Sequence, residues 1–175
     1  MMTNRLFVLG ACVAIALGTA SLLGVAAAQQ SSIKDQLVGT WILVSVVNEA
    51  ADGSKSEGFG SSPKGVIIFA NDGYFSLFQS RAEIPKIAAS DRAKATPEEA
   101  MAIVGATIAY YGTFSVTDDK TISVKINAST FANVAGGPEQ KRIITALTAD
   151  ELKFTNPRTP SGVTLHTVWK RAKSF

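Results

Sequence analysis

The clearest fold signal in this chain is residues 64–80, which read KGVIIFANDGYFSLFQS. Two runs rich in β-branched and aromatic residues, 64–69 and 74–80, flank the polar segment Asn71-Asp72-Gly73. Asn, Asp and Gly tolerate the positive φ angles that a tight hairpin turn requires. The segment therefore predicts two antiparallel strands joined by a short turn.

Six further segments have the short, β-branched and aromatic composition of strands. They are residues 38–47, 110–116, 121–128, 140–147, 152–155 and 163–171. Residues 55–62 are rich in Gly and Ser and predict a loop or a weak edge strand. Eight short strands with hairpin-length connections favour an antiparallel meander, which can close into a barrel with room for one small ligand.

One helix interrupts the strands. Thr96 can cap it, Pro97 suits its first turn, and Glu99 can bond back to the cap backbone. We expect the helix to end near Ala109 and to pack an apolar stripe on the β core. The stripe comprises Met101, Val104, Ile108 and Tyr111. The predicted fold class is therefore all-β with one inserted helix, in an eight-stranded antiparallel β-barrel.

The first 28 residues differ from the rest of the chain. A short basic start is followed by the apolar run 6–25 and by Ala26-Ala27-Ala28, which is the order of a secretory signal peptide. An uncleaved membrane anchor is the alternative, because about 20 apolar residues can span a bilayer. Cleavage after Ala28 is favoured because no basic cluster follows. We expect a signal peptide at 1–28, one β domain at 29–175, and a periplasmic or secreted location.

Charge and cysteine content narrow the function classes. The formal net charge is +3, and the charges are interspersed along the chain. The basic pairs Lys141-Arg142 and Lys170-Arg171 fall in predicted strands, so we interpret them as solvated or structural and expect no nucleic-acid partner. The one cysteine, Cys12, lies in the predicted leader, so the remainder can form no disulfide. We expect no membrane attachment after cleavage, and the composition does not fix the oligomeric state.

Four segments, taken in order, resemble the bacterial and fungal lipocalin-like domain family. They are LVGTW at 37–41, the hairpin segment from Gly65 to Ser76, TPEEA at 96–100 leading into YYGTF at 110–114, and VWKR at 168–171. The resemblance spans residues 37–171 and implies a calycin-type β-barrel. The mid-chain helix and the lack of a disulfide differ from secreted animal lipocalins, so no animal lipocalin ligand is carried over.

The resemblance also implies two structural residues. Trp41 on the first strand would pack across the closed end of the barrel, and Arg171 on the last strand would lie over its indole. Such a pair gains a cation–π contact, and the guanidinium can also bond to nearby carbonyl groups. Lys170 is the alternative partner, because one step along a strand changes the face.

Candidate ligand-binding residues are the aromatic side chains expected inside the barrel, together with the single histidine. They are Phe69, Phe75, Tyr110, Tyr111, Phe114 and His166. Core packing is the alternative for the aromatic residues, and a structural role is the alternative for the histidine. The sequence contains neither a nucleophile elbow nor metal-ligand spacing, so we predict no catalytic residue, no metal and no cofactor.

Three functions fit these observations. The first is an exported protein that binds a small hydrophobic or amphipathic molecule inside the barrel. The second is a lipocalin-like enzyme, an isomerase, cyclase or hydratase on an apolar substrate, which would need His166 and Tyr110 or Tyr111 to face one cavity. The third is a packed barrel that acts as an inhibitor or an envelope interaction protein. Whether the protein is an enzyme is left open.

Overall fold

The computed structural model describes residues 32–157 and 159–173. The predicted leader at 1–28 lies outside the described residues. The strands are β1 Gly39–Glu49, β2 Lys55–Glu57, β3 Lys64–Phe69, β4 Tyr74–Ser80, β5 Thr107–Asp118, β6 Thr121–Ser129, β7 Gln140–Leu147, β8 Glu151–Asn156 and β9 Thr164–Arg171. The α-helices are α1 Ile33–Leu37 and α2 Pro97–Ala106. Within the described part, every helix is too short or too polar to cross a membrane.

The strands form a closed antiparallel barrel. Each strand from β3 to β9 pairs with the next, and β1 pairs with β3 on one side and with β9 on the other. The short strand β2 pairs with the far end of β1, outside this eight-stranded circuit. The predicted all-β class, the eight-stranded barrel and the single helix inserted between strands are confirmed. Closure leaves the eight strands of the circuit without an open edge.

The hairpin predicted at residues 64–80 is present as β3 and β4. Phe69 and Phe75 are Cα partners in its register. The backbone N–H of Ala70 donates to the carbonyl oxygen of Tyr74 (2.8 Å), and the N–H of Tyr74 donates to the Asp72 carboxylate (3.1 Å). Gly73 has φ +89°, a conformation that side chains with a Cβ rarely adopt. The turn chemistry therefore fixes the register of this part of the barrel.

The start of helix α2 agrees with the prediction, but its end does not. Thr96 and Glu99 form the expected reciprocal capping bonds, with Oγ1 of Thr96 accepting from the backbone N–H of Glu99 at 3.2 Å. The helix ends at Ala106 rather than near Ala109. The following residues already belong to β5, where Thr107 pairs with Ser80 of β4. The hydrogen-bonded ladder along β4 competes with helix extension and prevails.

The predicted packing of the helical stripe is wrong. Met101 is 69% exposed and Val104 is 65% exposed, so helix α2 does not bury them in the core. Ile108 and Tyr111 lie on β5 instead of the helix. The spacing of the four residues is helical only if helix α2 and strand β5 are treated as one periodic segment.

The core fills one end of the barrel with large apolar side chains. We call the following residues the apolar floor: Trp41, Phe69, Phe75, Phe114, Phe154 and Trp169. The rings of Phe69 and Phe114 meet edge to face with centroids 4.9 Å apart, and those of Phe154 and Trp169 stack at 6.1 Å. Beside the floor, Gly112 of β5 lies so close to β6 that a Cβ would overlap the carbonyl of Lys125. These contacts leave the floor solidly packed.

Arg171 covers the outer side of the floor at the closed end. Its guanidinium carbon lies 4.0 Å from the centroid of the Trp41 ring. Its nitrogens donate to three backbone carbonyl oxygens, those of Gln36, Val38 and Ala149. Lys170 is exposed on the outer face opposite Ile42, so Arg171 and not Lys170 lies over the indole.

Candidate functional site

The inner wall of the barrel changes from apolar to polar between its two ends. Toward the open end, several strands carry an inward-facing polar side chain at the position above the floor. We call these residues the polar rim: Asn48 on β1, Gln79 on β4, Gln140 and Arg142 on β7, and Asn156 on β8. The alternation of strand residues places them on the same face as the apolar floor.

A pocket of about 410 Å³ lies at the open end between the polar rim and the loops above it. Its apolar lining includes Phe59, Ile108, Tyr110, Ile126, Val134 and Leu165. Residues 159–161 of the β8–β9 loop, together with Phe131 and Asn133 of the β6–β7 loop, complete the wall. The volume falls within the range of small-molecule sites, and the mix of apolar wall and few polar groups is typical of them.

Two other depressions are larger but lie on the outside of the barrel. One, of about 540 Å³, borders α1 and the β5–β6 turn, and the other, of about 520 Å³, borders residues 150–151 and 170–173. Both are shallow grooves beside charged turn residues. Of these three, the open-end pocket is lined by inward-facing side chains of the barrel strands, and we therefore take it as the candidate site.

Arg142 is the charged residue of the polar rim, and it is only 6% exposed. Its Nη2 donates to Oε1 of Gln140 (3.1 Å), and its Nη1 donates to the carbonyl oxygen of Lys141 (3.2 Å). Both acceptors are neutral. Among the described residues, no carboxylate lies within ion-pair distance of Arg142. A buried guanidinium without a counter-charge is costly, and it favours an anion beside it.

Asn156 is the neighbour of Arg142 across the β7–β8 pair. Ile143 and Thr155 are Cα partners, so the next positions toward the open end are Arg142 and Asn156. Directly opposite residues have Cβ atoms about 5 Å apart. Asn156 is 7% exposed, and its Oδ1 has no hydrogen-bond partner among the described residues. Buried polar atoms are nearly always paired, and a ligand donor would reach this oxygen once the Asn156 amide turns toward the pocket.

The predicted aromatic site residues divide between the floor and the pocket. Phe69, Phe75 and Phe114 lie in the apolar floor, below the pocket lining. Tyr110 lines the pocket, and its ring meets that of Phe75 edge to face at 5.9 Å. The structure therefore places one of these four residues at the candidate site and three beneath it.

Tyr111 and His166 lie on the outer face of the barrel. Tyr111 follows the inward-facing Tyr110 and is half exposed. His166 lies between the inward-facing Leu165 and Thr167 on β9, and successive strand residues point to opposite faces. Neither side chain lines the pocket, so the structure does not bring His166 and a tyrosine into one cavity.

His166 belongs instead to a small polar cluster on the outside of β1 and β9. Its Nε2 lies 3.1 Å from Oε2 of Glu49, and its Nδ1 lies 3.0 Å from the hydroxyl of Thr155. Glu49 also pairs with Nζ of Lys55 at 3.3 Å. The hydrogen bond and charge of Lys55, followed by the bond to His166, lower the pKa of Glu49. No grouping of three or more potential metal ligands occurs in residues 32–157 and 159–173.

The sequence analysis does not identify the polar rim. The pair Lys141-Arg142 was interpreted as solvated or structural, yet Arg142 faces inward opposite Ile122 of β6. The usable signal was the alternation of Gln140, Arg142 and Ile144, which places a polar pair on the face of a buried isoleucine. That signal needs the register of β7 to be known before it can be used.

A comparison with protein families supports the assignment of the fold. The family model described as "Lipocalin-like domain" matches residues 38–172. No curated protein matches the chain. A lipocalin-like protein from Bacteroides uniformis ATCC 8492 is 15% identical, with 78% of this chain and 99% of that chain covered and a TM-score of 0.42. A redesigned β-barrel is 17% identical, with 82% and 100% covered and a TM-score of 0.44. The family model covers most of the chain, and the chain therefore belongs to the lipocalin-like domain family.

Proposed function

We propose that this protein is an exported binder of a small amphipathic molecule, held in the open-end pocket. The observation that carries the proposal is the pocket itself, about 410 Å³ in volume and lined by apolar side chains on one part and the polar rim on another. Such a lining suits a molecule with an apolar body and a polar head. At about 30 Å³ per water-sized group, the pocket has room for about a dozen non-hydrogen atoms.

The lining favours binding over catalysis. Among the described residues that line the pocket, Tyr110 and Arg142 are the ionisable ones. Proton transfer near neutral pH normally uses a histidine or a carboxylate within hydrogen-bond reach of the substrate. His166 lies on the other side of the wall, bonded to Glu49 and Thr155. The enzyme hypothesis therefore has no acid–base pair in this pocket.

The proposal is tested by titrating the purified protein with 1-aminonaphthalene, an environment-sensitive and uncharged dye that is small enough for the pocket. Leu165→Trp places a large ring in the pocket and is expected to weaken dye binding about tenfold or more, by filling the site. Val168→Trp adds the same ring to the outer face of the same strand and serves as the control. Equal dye binding by both variants, or none by the parent protein, would contradict a ligand site in the pocket.

Export is part of the proposal and needs its own test. The full chain is expressed in a Gram-negative host, and the cell fractions are analysed by mass spectrometry. We expect the protein in the periplasm or medium with Gln29 as its first residue, because signal peptidase recognises small residues such as those at 26–28. Recovery of the uncut chain in the membrane fraction would support the anchor alternative.

An interaction protein is the second candidate, and the outer face supplies the observation in its favour. Ile42, Val66, Phe78 and Ala109 are register partners in one row across β1, β3, β4 and β5. Ile42 and Phe78 in this row are exposed. Contiguous exposed apolar side chains often mark interaction surfaces. Sedimentation velocity of the parent protein and of Phe78→Glu tests this candidate, and an identical monomer in both would count against self-association.

A further inference from the structure

We propose that the molecule bound in the open-end pocket is an organic anion, and that Arg142 holds its carboxylate. This inference rests on the proposed function, because it names the chemical class of the ligand of the same pocket. Two independent observations carry it, both within the described part of the chain: a buried guanidinium without a counter-charge and a buried amide oxygen without a donor, on neighbouring strands of the pocket wall.

The first step concerns the hydrogen bonds of Arg142. A guanidinium has five N–H donors. Two bonds are present, to Oε1 of Gln140 and to the carbonyl oxygen of Lys141. Both leave the charge uncompensated. A carboxylate matches the planar fork of arginine with two parallel bonds, and such pairs are stronger than neutral hydrogen bonds. An anionic ligand group would therefore supply both the missing charge and the missing acceptors.

The second step concerns competition within the pocket. The described residues that line it include no Asp and no Glu. No side chain of the lining can therefore neutralise Arg142 in place of a ligand. The remaining rim groups, Asn48, Gln79 and Gln140, are amides that can each donate to a ligand oxygen. The lining thus presents one positive charge and several neutral donors to whatever enters.

The third step concerns the group next to the carboxylate. Oδ1 of Asn156 accepts hydrogen bonds only, and no described residue donates to it. A simple carboxylate offers it no donor. Once the Asn156 amide turns toward the pocket, a hydroxyl or an amide N–H close to the carboxylate would satisfy Oδ1 while the carboxylate bonds to Arg142. The class of ligand is therefore a carboxylate of about a dozen non-hydrogen atoms, preferably with a donor group near the carboxyl end.

The experiment compares decanoate with decan-1-ol by isothermal titration of the protein purified from an exporting host. The two probes have the same chain length and differ in charge. We expect decanoate to bind about tenfold more tightly than decan-1-ol, because charge-assisted hydrogen bonds are stronger than neutral ones. We expect 2-hydroxydecanoate to bind more tightly still, because its hydroxyl can donate to Oδ1 of Asn156.

Arg142→Gln removes the charge and keeps a hydrogen-bonding side chain. It is expected to weaken decanoate about 10- to 100-fold and to leave decan-1-ol within about twofold. Lys141→Gln is the matched control, because Lys141 is the exposed neighbour on the outer face of the same strand. Arg142→Lys keeps the charge without the planar fork and is expected to retain part of the preference for decanoate.

The outcomes separate this inference from the proposed function. If neither probe and no dye binds, the pocket is not a ligand site and both proposals fail. If decan-1-ol binds to the parent protein as tightly as decanoate, the anion inference is overturned and the proposed function stands. The same conclusion follows if Lys141→Gln weakens decanoate as much as Arg142→Gln does. The comparison on the parent protein decides the matter even if Arg142→Gln does not fold.

Discussion

Replacement of Arg171 by Met is the most informative stability test of the barrel closure. The substitution keeps a side chain of similar length but removes the guanidinium that lies 4.0 Å from the centroid of Trp41. It also removes the hydrogen bonds to the carbonyl oxygens of Val38 (3.1 Å) and Ala149 (2.6 Å), and the bond to Gln36. These bonds join strand β9 to the segment before β1 and to the β7–β8 turn.

The magnitude follows from these contacts. Arg171 is partly exposed, so solvent screens its charge and each bond is taken at about 0.5 to 1 kcal/mol, the lower part of the usual range. The cation–π contact adds about 0.5 to 1 kcal/mol. We therefore expect Arg171→Met to lower the free energy of unfolding by about 3 kcal/mol. For a domain of this size, that corresponds to a fall in Tm of about 10 °C.

The assay is urea unfolding followed by tryptophan fluorescence, since Trp41 and Trp169 are both fully buried. Lys170→Met is the control, because Lys170 is exposed and its replacement is expected to change the free energy of unfolding by no more than about 0.5 kcal/mol. Arg171→Lys is expected to fall between the two, since an ammonium lacks the planar fork. A loss below about 1 kcal/mol for Arg171→Met, or an equal loss for Lys170→Met, would refute this account of the closed end.

Three other substitutions test the site, the packing and the surface cluster. Asn156→Asp places a carboxylate beside Arg142 and should weaken decanoate about tenfold or more in the same titration; unchanged affinity would place the anion elsewhere. Gly112→Ala should destabilise the barrel by about 3 kcal/mol in urea unfolding, because its Cβ would overlap the backbone of β6. Gly137→Ala is the control and should have little effect, because the space around Gly137 is open. Similar losses in both variants would contradict the overlap. Glu49→Gln should lower the urea midpoint above about pH 5, and the difference should shrink as the pH falls through the lowered pKa of Glu49, because the stability from a lowered pKa is lost there; a pH-independent difference would contradict this.

Local chemistry explains why most of the fold was predictable. Two features depend only on residues that are close in sequence, and both are present as predicted. They are the turn Asn71-Asp72-Gly73 and the capping pair Thr96 and Glu99. Segments with strand composition could likewise be recognised one at a time. Antiparallel order then follows from short connections, since neighbouring strands joined by tight turns have few other ways to pair.

The boundary between helix α2 and strand β5 was less predictable for a physical reason. The choice between helix and strand for residues 107–109 depends on β4, which offers its backbone as a partner for Thr107. That partner is distant in sequence, so periodicity within the segment cannot report it. The exposed side chains of Met101 and Val104 are the visible result.

The polar rim was hidden for a related reason. Arg142 and Asn156 face the pocket because they continue the alternation of the buried Ile144 and Phe154, and a bulge between Ile144 and Ala146 interrupts that alternation at the other end of β7. A bulge shifts the inward face by one position, and no local residue pattern reveals it reliably. The sequence analysis selects aromatic residues as candidate ligand-binding residues because they are expected inside the barrel. An interior aromatic residue can equally well lie in the floor or in the pocket.

The separation of the apolar floor from the polar rim has an evolutionary consequence. The large buried side chains are concentrated below the pocket, whereas the recognition that we propose would fall to a few amides, one arginine and two surface loops. Mutations at the rim can therefore alter selectivity at small thermodynamic cost to the scaffold. Descendants of one ancestral barrel are free to diversify in the molecules they accept while the architecture persists.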